Sequence, residues 1–221
     1  MDKENKNRVK YKICFLFLML ISFSGLSQPK DFKLLTGTEK TNIEKKIATV
    51  AKTRTSLQCK FEQNKLSILL TDEYLSTGKL YYKAPDCLRW EYTKPNKYLL
   101  IFNKDNAYIE DEKGVVVANK MLKQLGNFII STINGNSLIE NGNFKIEYYE
   151  EQPKKNIIIV KLTPINKRLK EMYASIQISI SLSDCLAYKI VMEEKSGDVT
   201  KIMLSDKKIN EQLPQNLFLI P

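Results

Sequence analysis

The sequence predicts a mostly β protein with helices, in which about ten or eleven antiparallel strands form one sheet that curls towards a barrel. Three observations support this fold class. Residues 78–102 alternate apolar and polar side chains over three short runs separated by turns that contain proline. Residues 171–182 keep one apolar face over roughly 35 Å of extended chain. Two further stretches, 38–54 and 121–133, repeat apolar residues at helical spacing instead.

The N-terminus has the pattern of a secretory signal peptide. Five basic residues within the first twelve positions precede an almost wholly apolar run over residues 13–23, and Gly25 and Ser27 are small where a signal peptidase reads. That run is too short to span a membrane, and no cysteine directly follows the cleavage site to take a lipid anchor. We expect cleavage between Ser27 and Gln28, one mature domain over residues 28–221, and export to the periplasm as a soluble protein.

The composition argues against several classes of function. Histidine is absent, which removes Ser-His-Asp and Cys-His catalysis and the usual imidazole metal sites. The chain also has no phosphate-binding glycine loop, Cys-x-x-Cys pair or nucleophile elbow. We therefore expect no enzymatic activity, no metal and no cofactor.

Charge and cysteine content restrict the partners further. The net charge is +10, and removing the five basic and two acidic groups of residues 1–27 leaves +7. The excess is scattered lysine, typical of a solvated surface, so we do not expect nucleic-acid binding; a weak attraction to anionic headgroups or to an acidic partner stays open. Cys59, Cys87 and Cys185 remain after processing, so at most one intramolecular disulfide can form.

The first part of the mature chain leads into the sheet. Residues 28–37 have the character of a loose leader. In residues 38–54, Ile43 and Ile47 share one face opposite lysines and glutamates, which predicts a helix on the apolar side of the sheet. Residues 56–67 follow as the first predicted strand.

An antiparallel meander comes next, formed by three strands with short connecting turns. Leu80 and Tyr82 share one face of its first strand, and Leu88 and Trp90 share one face of its second. Residues 98–102 are apolar on both faces and form the third.

The remaining strands complete the predicted sheet. Residues 107–110 and 115–117 form a hairpin, and the later strands are 144–149, 156–163, 171–182, 187–193 and 199–204. In the longest of these, the even-numbered residues from Met172 to Leu182 face one way. Because a curled sheet has one inner face, such alternation predicts a large apolar concavity.

An apolar helix interrupts the run of strands at residues 121–133. Its apolar stripe comprises Met121, Leu122, Leu125, Phe128, Ile129 and Ile133. Gly126 interrupts the stripe. A helix of this kind packs as core or serves as a movable cover, and the pattern alone leaves both interpretations open.

Four short motifs follow one another along the mature chain: Phe61-x-Gln63, Gly78-x-Leu80-x-Tyr82-Lys83-x-Pro85-x-x-Leu88-Arg89-Trp90-x-Tyr92-x-x-Pro95, Leu162-Thr163-Pro164 and Leu217-Phe218-x-x-Pro221. Together they resemble the periplasmic outer-membrane lipoprotein carriers of the LolA type. The resemblance covers essentially all of the mature chain, in the right order. It implies an incomplete antiparallel β-barrel closed by helices, with an apolar cavity for the acyl chains of a lipoprotein.

The resemblance also assigns positions. The family's cavity-lining aromatic falls on Leu88 and a cavity leucine on Leu100, whereas the arginine that ties the lid to the barrel in enterobacterial carriers falls on Ala84. With the alternation of the strands, the predicted cavity residues are Leu80, Tyr82, Leu88, Trp90, Leu100, Ile176, Ile178 and Ile180. The predicted lid is the apolar helix 121–133, together with the helix 38–54.

The expected function follows from the same resemblance. It implies a monomeric carrier that takes lipoproteins from an inner-membrane release complex to an outer-membrane acceptor, through transient contacts with both. A second interpretation keeps the fold but makes the cargo a glycolipid, a lipid-linked pigment or another acylated molecule. A third is an envelope-stress sensor or scaffold.

Overall fold

The structure is a computed structural model. It describes residues 31–68, 73–104, 106–118, 120–134, 142–153 and 155–219. The predicted signal peptide lies outside the described residues. None of the described helices has both the length and the apolar character needed to cross a membrane.

Within the described residues the chain forms twelve strands, three α-helices and one short 3-10 helix. The helices are α1 (Gly37–Lys52), α2 (Lys120–Ile133), α3 (Lys167–Met172) and the 3-10 helix Gln215–Phe218. The strands are β1 (Asp31–Leu35), β2 (Ser56–Leu66), β3 (Glu73–Lys83), β4 (Cys87–Lys94), β5 (Tyr98–Asn103), β6 (Asn106–Asp111), β7 (Gly114–Val117), β8 (Phe144–Gln152), β9 (Ile157–Pro164), β10 (Tyr173–Ser181), β11 (Leu186–Glu194) and β12 (Val199–Ile209).

All twelve strands belong to one antiparallel sheet, in the order β1-β8-β9-β10-β11-β12-β2-β3-β4-β5-β6-β7. The sheet is open, with β1 and β7 at its two edges. The predicted antiparallel sheet is therefore confirmed, with twelve strands where the sequence predicted ten or eleven.

The strand register confirms the predicted alternation in the meander. Tyr82 lies opposite Leu88, and Trp90 lies opposite both Leu80 on one neighbouring strand and Leu100 on the other. Because directly opposed residues project to the same face of a sheet, these five side chains share one face.

The motif aromatics pack together at one end of this face. The ring centroid of Phe61 lies 4.7 Å from that of Trp90 and 5.0 Å from that of Tyr92, whose hydroxyl donates to Gln63 Oε1 at 3.0 Å. Phe61 also lies opposite Gly78. A Cβ on Gly78 would approach the Phe61 ring to 2.5 Å, so only glycine leaves room for the ring. The motif residues thus form part of the framework of the sheet.

Three boundaries differ from the sequence prediction. Residues 31–35, predicted as a loose leader, form β1 and pair with β8, because Leu35 is buried in the core. The first helix ends at Lys52 and not at residue 54.

The predicted strand 171–182 begins only at Tyr173, because the residues before it form α3. A bulge between Tyr173 and Ser175 shifts the alternation by one residue. Tyr173 therefore packs on the apolar cluster, and Ala174, predicted to face it, is exposed.

Two apolar clusters cover the concave face of the sheet. One lies beneath α2 and is formed mainly by β2 to β6, and the other lies beneath α1 and is formed mainly by β8 to β10. On the opposite face, the 3-10 helix packs on β4 and β5, where Arg89 Nη1 donates to the Leu217 carbonyl at 3.3 Å. The concave face thus carries the helices that the sequence predicted as covers.

Candidate functional site

The space between α2 and the sheet is small and apolar. A cavity of about 40 Å³ lies there. It is bordered by Leu57, Cys59, Leu80, Trp90, Ile129, Thr132, Ile133, Ile178, Leu186, Ala187, Ile190, Leu204 and Lys207. One water molecule needs about 10 to 15 Å³ of such space, so the cavity has room for about three water-sized groups and far too little for an acyl chain. The concavity of the sheet is therefore filled mainly by side chains.

The structure places all the predicted cavity residues on the concave face. Leu80, Tyr82, Leu88, Trp90, Leu100, Ile176, Ile178 and Ile180 are each at most 8% exposed. Leu80, Trp90 and Ile178 border the remaining space, whereas Ile176 and Ile180 pack in the cluster beneath α1. That these residues contact a lipid stays a prediction.

The prediction missed part of the cavity lining, on β2 and on the strands β11 and β12. Leu57 and Cys59 belong to it, and the alternation of their strand was sufficient to place both on the concave face. Leu186 and Ile190 of β11 and Leu204 of β12 also border the cavity. Their positions depend on how β12 pairs with β2, a long-range contact that the local pattern does not encode.

The predicted lid helix lies on the cluster beneath it. Ile133 is buried, and Leu122 and Ile129 are half-buried against the same cluster. Ile130, which the sequence analysis did not select, is also buried there. The side chains of three other predicted lid residues, Met121, Leu125 and Phe128, lie outside the described part of the chain.

Gly126 allows α2 to approach the sheet closely. A Cβ at this position would lie 2.0 to 2.3 Å from three atoms of the Phe102 ring. Phe102 is itself only 3% exposed, so the ring has little room to move away. The glycine that seemed to interrupt the apolar stripe is thus where the helix rests on β5.

Polar contacts tie the C-terminal end of α2 to the sheet. Arg54 Nη1 donates to the carbonyl of Ile133, the last residue of the helix. The hydroxyl of Tyr82 donates to Asn134 Oδ1, and Asn134 Nδ2 donates to the Pro85 carbonyl at 2.7 Å. Tyr82 therefore joins the covering helix to β3, a role that its apolar strand pattern did not predict.

Arg54 is a buried cation that the sequence analysis treated only as the last residue of a surface helix. Its side chain is among the buried charged groups, with the residue 4% exposed, and burial lowers the pKa of its guanidinium. The carbonyl of Thr55 accepts from the amide of Ala84 at 2.9 Å, which places Arg54 beside position 84. A guanidinium therefore does reach the covering helix, but it comes from the start of β2.

Lys207 brings a second cation to the cavity wall. Its Nζ lies 2.5 Å from Asp184 Oδ2, and its side chain borders the apolar cavity.

The three cysteines among the described residues, Cys59, Cys87 and Cys185, are all free thiols. Burial raises the pKa of the Cys59 thiol to about 12, against the opposing effect of Lys207.

The chemistry of the site is that of a binding site. No group of three or more histidine, cysteine, aspartate or glutamate side chains suited to a metal ion occurs among the described residues. The concave face offers apolar walls, a covering helix and two cations with one carboxylate at its edge. Such a surface suits an apolar ligand that carries a polar end.

The chain is similar to several solved structures at low sequence identity. The Pseudomonas aeruginosa MucA/MucB complex matches with a TM-score of 0.50 and 9% identity, over 82% of this chain and 60% of that chain. A LolA superfamily protein from Nitrosomonas europaea matches with a TM-score of 0.47 and 14% identity, over 81% of this chain and 97% of that chain. The Mycobacterium tuberculosis lipoprotein LppX matches with a TM-score of 0.44 and 10% identity, over 78% of this chain and 96% of that chain.

Sequence comparison identifies the family. No curated protein sequence matches this chain. The family model described as outer membrane lipoprotein carrier protein LolA matches residues 52–221, which include every strand from β2 onwards. The chain therefore belongs to the LolA family of outer-membrane lipoprotein carriers.

Proposed function

We propose that the protein carries the acyl chains of lipoproteins across the periplasm, sheltered on the concave face of the sheet beneath α2. The observation that carries the proposal is the apolar concavity beneath α2, a helix that contacts Phe102 at Gly126 and is tied to the sheet near its C-terminal end by Arg54, Tyr82 and Asn134. Membership in the family supports the same function.

The energetics explain why such a carrier needs a cover. Burying a methylene is worth about 0.8 kcal/mol, so a chain of about 14 methylenes gains roughly 11 kcal/mol by leaving water. An apolar surface of that size is an aggregation liability when it is exposed without cargo. A helix that covers the face in the absence of cargo and moves aside for it meets both demands.

The small volume beneath α2 requires this movement. A cavity of about 40 Å³ cannot hold an acyl chain, so loading displaces α2 from the sheet. The ligand then shifts an equilibrium between a covered and an open form, by as much as it favours the open one. In this proposal the lid is the set that the sequence predicted, Met121, Leu122, Leu125, Phe128, Ile129 and Ile133, joined by Ile130.

Hydrogen–deuterium exchange tests the lid. The mature chain, residues 28–221, is measured with and without a saturating synthetic triacylated lipopeptide. We expect exchange in residues 121–133 to rise on binding, because α2 loses its packing on the sheet. The central strand β3 serves as the internal reference and keeps its protection. Unchanged exchange in residues 121–133 at saturation shows that the helix is not a lid.

Mass spectrometry of the protein purified from its native periplasm identifies the cargo. Triacylated lipoproteins in the preparation support the proposal. Free glycolipid or lipid-linked pigment assigns the other cargo on the same fold. A protein that binds no amphiphile contradicts both.

The partners follow from the cargo. We propose that the protein, as a monomer, receives its cargo from an inner-membrane release complex and delivers it to an outer-membrane acceptor.

A further inference from the structure

A bulge in β12 turns a lysine towards the apolar cavity. The pairing of β12 with β2 shifts between Ser205 and Lys208, and Asp206 has a φ of 51°. Asp206 and Lys207 together stand opposite the single residue Cys59, so β12 has one extra residue here and the two side chains point to opposite faces. Asp206 meets Lys60 on the exposed face at 2.7 Å, and Lys207 borders the cavity.

Lys207 shares its partner with the buried Arg54. Lys207 Nζ contacts Asp184 Oδ2 at 2.5 Å, and Arg54 Nη2 donates to the Asp184 carbonyl at 3.3 Å. The remaining bond of the guanidinium is to the carbonyl of Ile133, and its Nε has no partner among the described residues. Lys207 therefore pairs with the Asp184 carboxylate, whereas the contacts of Arg54 among the described residues are with backbone carbonyls, which leaves an excess of one positive charge beside the cavity.

A purely structural role explains only part of this arrangement. Asp184 Oδ1 accepts from the Leu186 amide at 3.0 Å, so the Lys207–Asp184 pair helps to hold the turn between β10 and β11. That role accounts for one cation and one carboxylate. Arg54 also holds the end of α2, but the carbonyl oxygens that it contacts do not neutralise its charge. A buried charge without a counter-charge is unfavourable, and an anion at this place relieves it.

We propose that Arg54 and Lys207 bind the anionic headgroup of an acylated cargo whose chain lies beneath α2. The inference rests on the proposed carrier function and specifies its cargo as an amphiphile with a negative group next to its chains. Because the lipid anchor of a triacylated lipoprotein is itself uncharged, that group is an acidic residue beside the anchor or the headgroup of another acylated cargo. When α2 moves aside, the Ile133 carbonyl leaves Arg54, and one donor becomes free for the headgroup. A charge-assisted contact of this kind discriminates against a neutral ligand of the same length.

A pair of matched fluorescent probes tests the site. Cis-parinaric acid and its methyl ester share one chain and differ in the charge of the end group. We expect the mature wild-type chain to bind the acid about tenfold more tightly than the ester, which corresponds to about 1.4 kcal/mol. Lys207→Gln and Arg54→Gln should each lose most of this preference, measured as the ratio of the two affinities, because Arg54→Gln also loosens the end of α2 and raises both affinities together.

Lys60→Gln is the control, because it removes the same charge from an ion pair on the opposite face of the sheet. It should keep the tenfold preference. Where Arg54→Gln or Lys207→Gln fails to fold, as judged by thermal unfolding, Asp184→Asn replaces it, since its side-chain oxygen can still accept from the Leu186 amide while the negative charge is lost. The preference for the acid should then rise above tenfold, and an unchanged preference contradicts the proposal.

The outcomes separate this inference from the carrier function. Equal binding of acid and ester by the wild type overturns the headgroup site and leaves the carrier function intact. If the wild type binds neither probe, both the headgroup site and the carrier function are overturned. We expect inorganic phosphate to compete with the acid but not with the ester, because phosphate would occupy an anion site next to the chain. Lys207-dependent phosphate binding with no preference for the acid assigns the cluster to a free anion and overturns the headgroup role.

Discussion

Replacing Gly126 by alanine should lift α2 from the sheet. The new Cβ would lie 2.0 to 2.3 Å from the Phe102 ring, whereas carbon atoms in good contact are about 3.5 to 4.0 Å apart. The helix or the ring must therefore shift by roughly 1.5 Å. Overpacking of this kind costs about 1 to 3 kcal/mol, and the higher helix propensity of alanine offsets up to about 1 kcal/mol.

The strain falls on the covered form alone, because the contact with Phe102 exists only when α2 lies on the sheet. We expect Gly126→Ala to raise deuterium exchange in residues 121–133 and to increase the binding of an apolar dye. The affinity for cis-parinaric acid should rise as well, by up to about tenfold for a net 1.4 kcal/mol, since less free energy is needed to open the cover.

Two variants isolate the cause. Asn127→Ala makes a comparable gain in helix propensity at an exposed position of α2, and it should leave dye binding and acyl affinity unchanged. Phe102→Leu makes room for the new methyl group, so the double variant with Gly126→Ala should be less open than Gly126→Ala alone. If Gly126→Ala behaves like Asn127→Ala, or if the two changes are additive, the close contact does not hold the lid closed.

Three further predictions concern the contacts at the end of the lid and the buried titratable groups. Arg54→Met removes the guanidinium bonds to Ile133 and Asp184, so exchange near the C-terminal end of α2 should rise, and wild-type exchange there would contradict the role of this contact. Tyr82→Phe removes the donor to Asn134 and should lower the free energy of unfolding by about 1 kcal/mol in urea titrations; no loss would show that the bond is dispensable. Burial raises the pKa values of Cys59 and Tyr82 each to about 12, so the folded state keeps protons that the unfolded chain releases. The free energy of unfolding should therefore fall as the pH rises from about 9 towards 12, and Cys59→Ala should show a shallower fall.

Local patterns in the sequence were sufficient for most of the sheet. Alternation placed Leu80 with Tyr82 and Leu88 with Trp90, whereas Leu100 was assigned by the resemblance. The structure has Leu80 and Leu100 directly opposite Trp90 on its two neighbouring strands. Such patterns are informative because a residue's face in a strand depends only on its position along that strand. The same holds for α2, whose apolar stripe identified the face that packs on the sheet.

Only the tertiary structure decided the details at the edge of the concave face. Arg54 has the sequence context of a surface charge, yet the chain brings it within hydrogen-bonding distance of a helix 79 residues away. Lys207 faces the cavity because a bulge adds one residue to β12, and the sequence carries no local sign of that bulge. Gly126 interrupts a helical pattern in the sequence, but in the fold it meets Phe102. In each case the role comes from a partner distant along the chain, whereas the fold class depended on periodicities that each segment carries by itself.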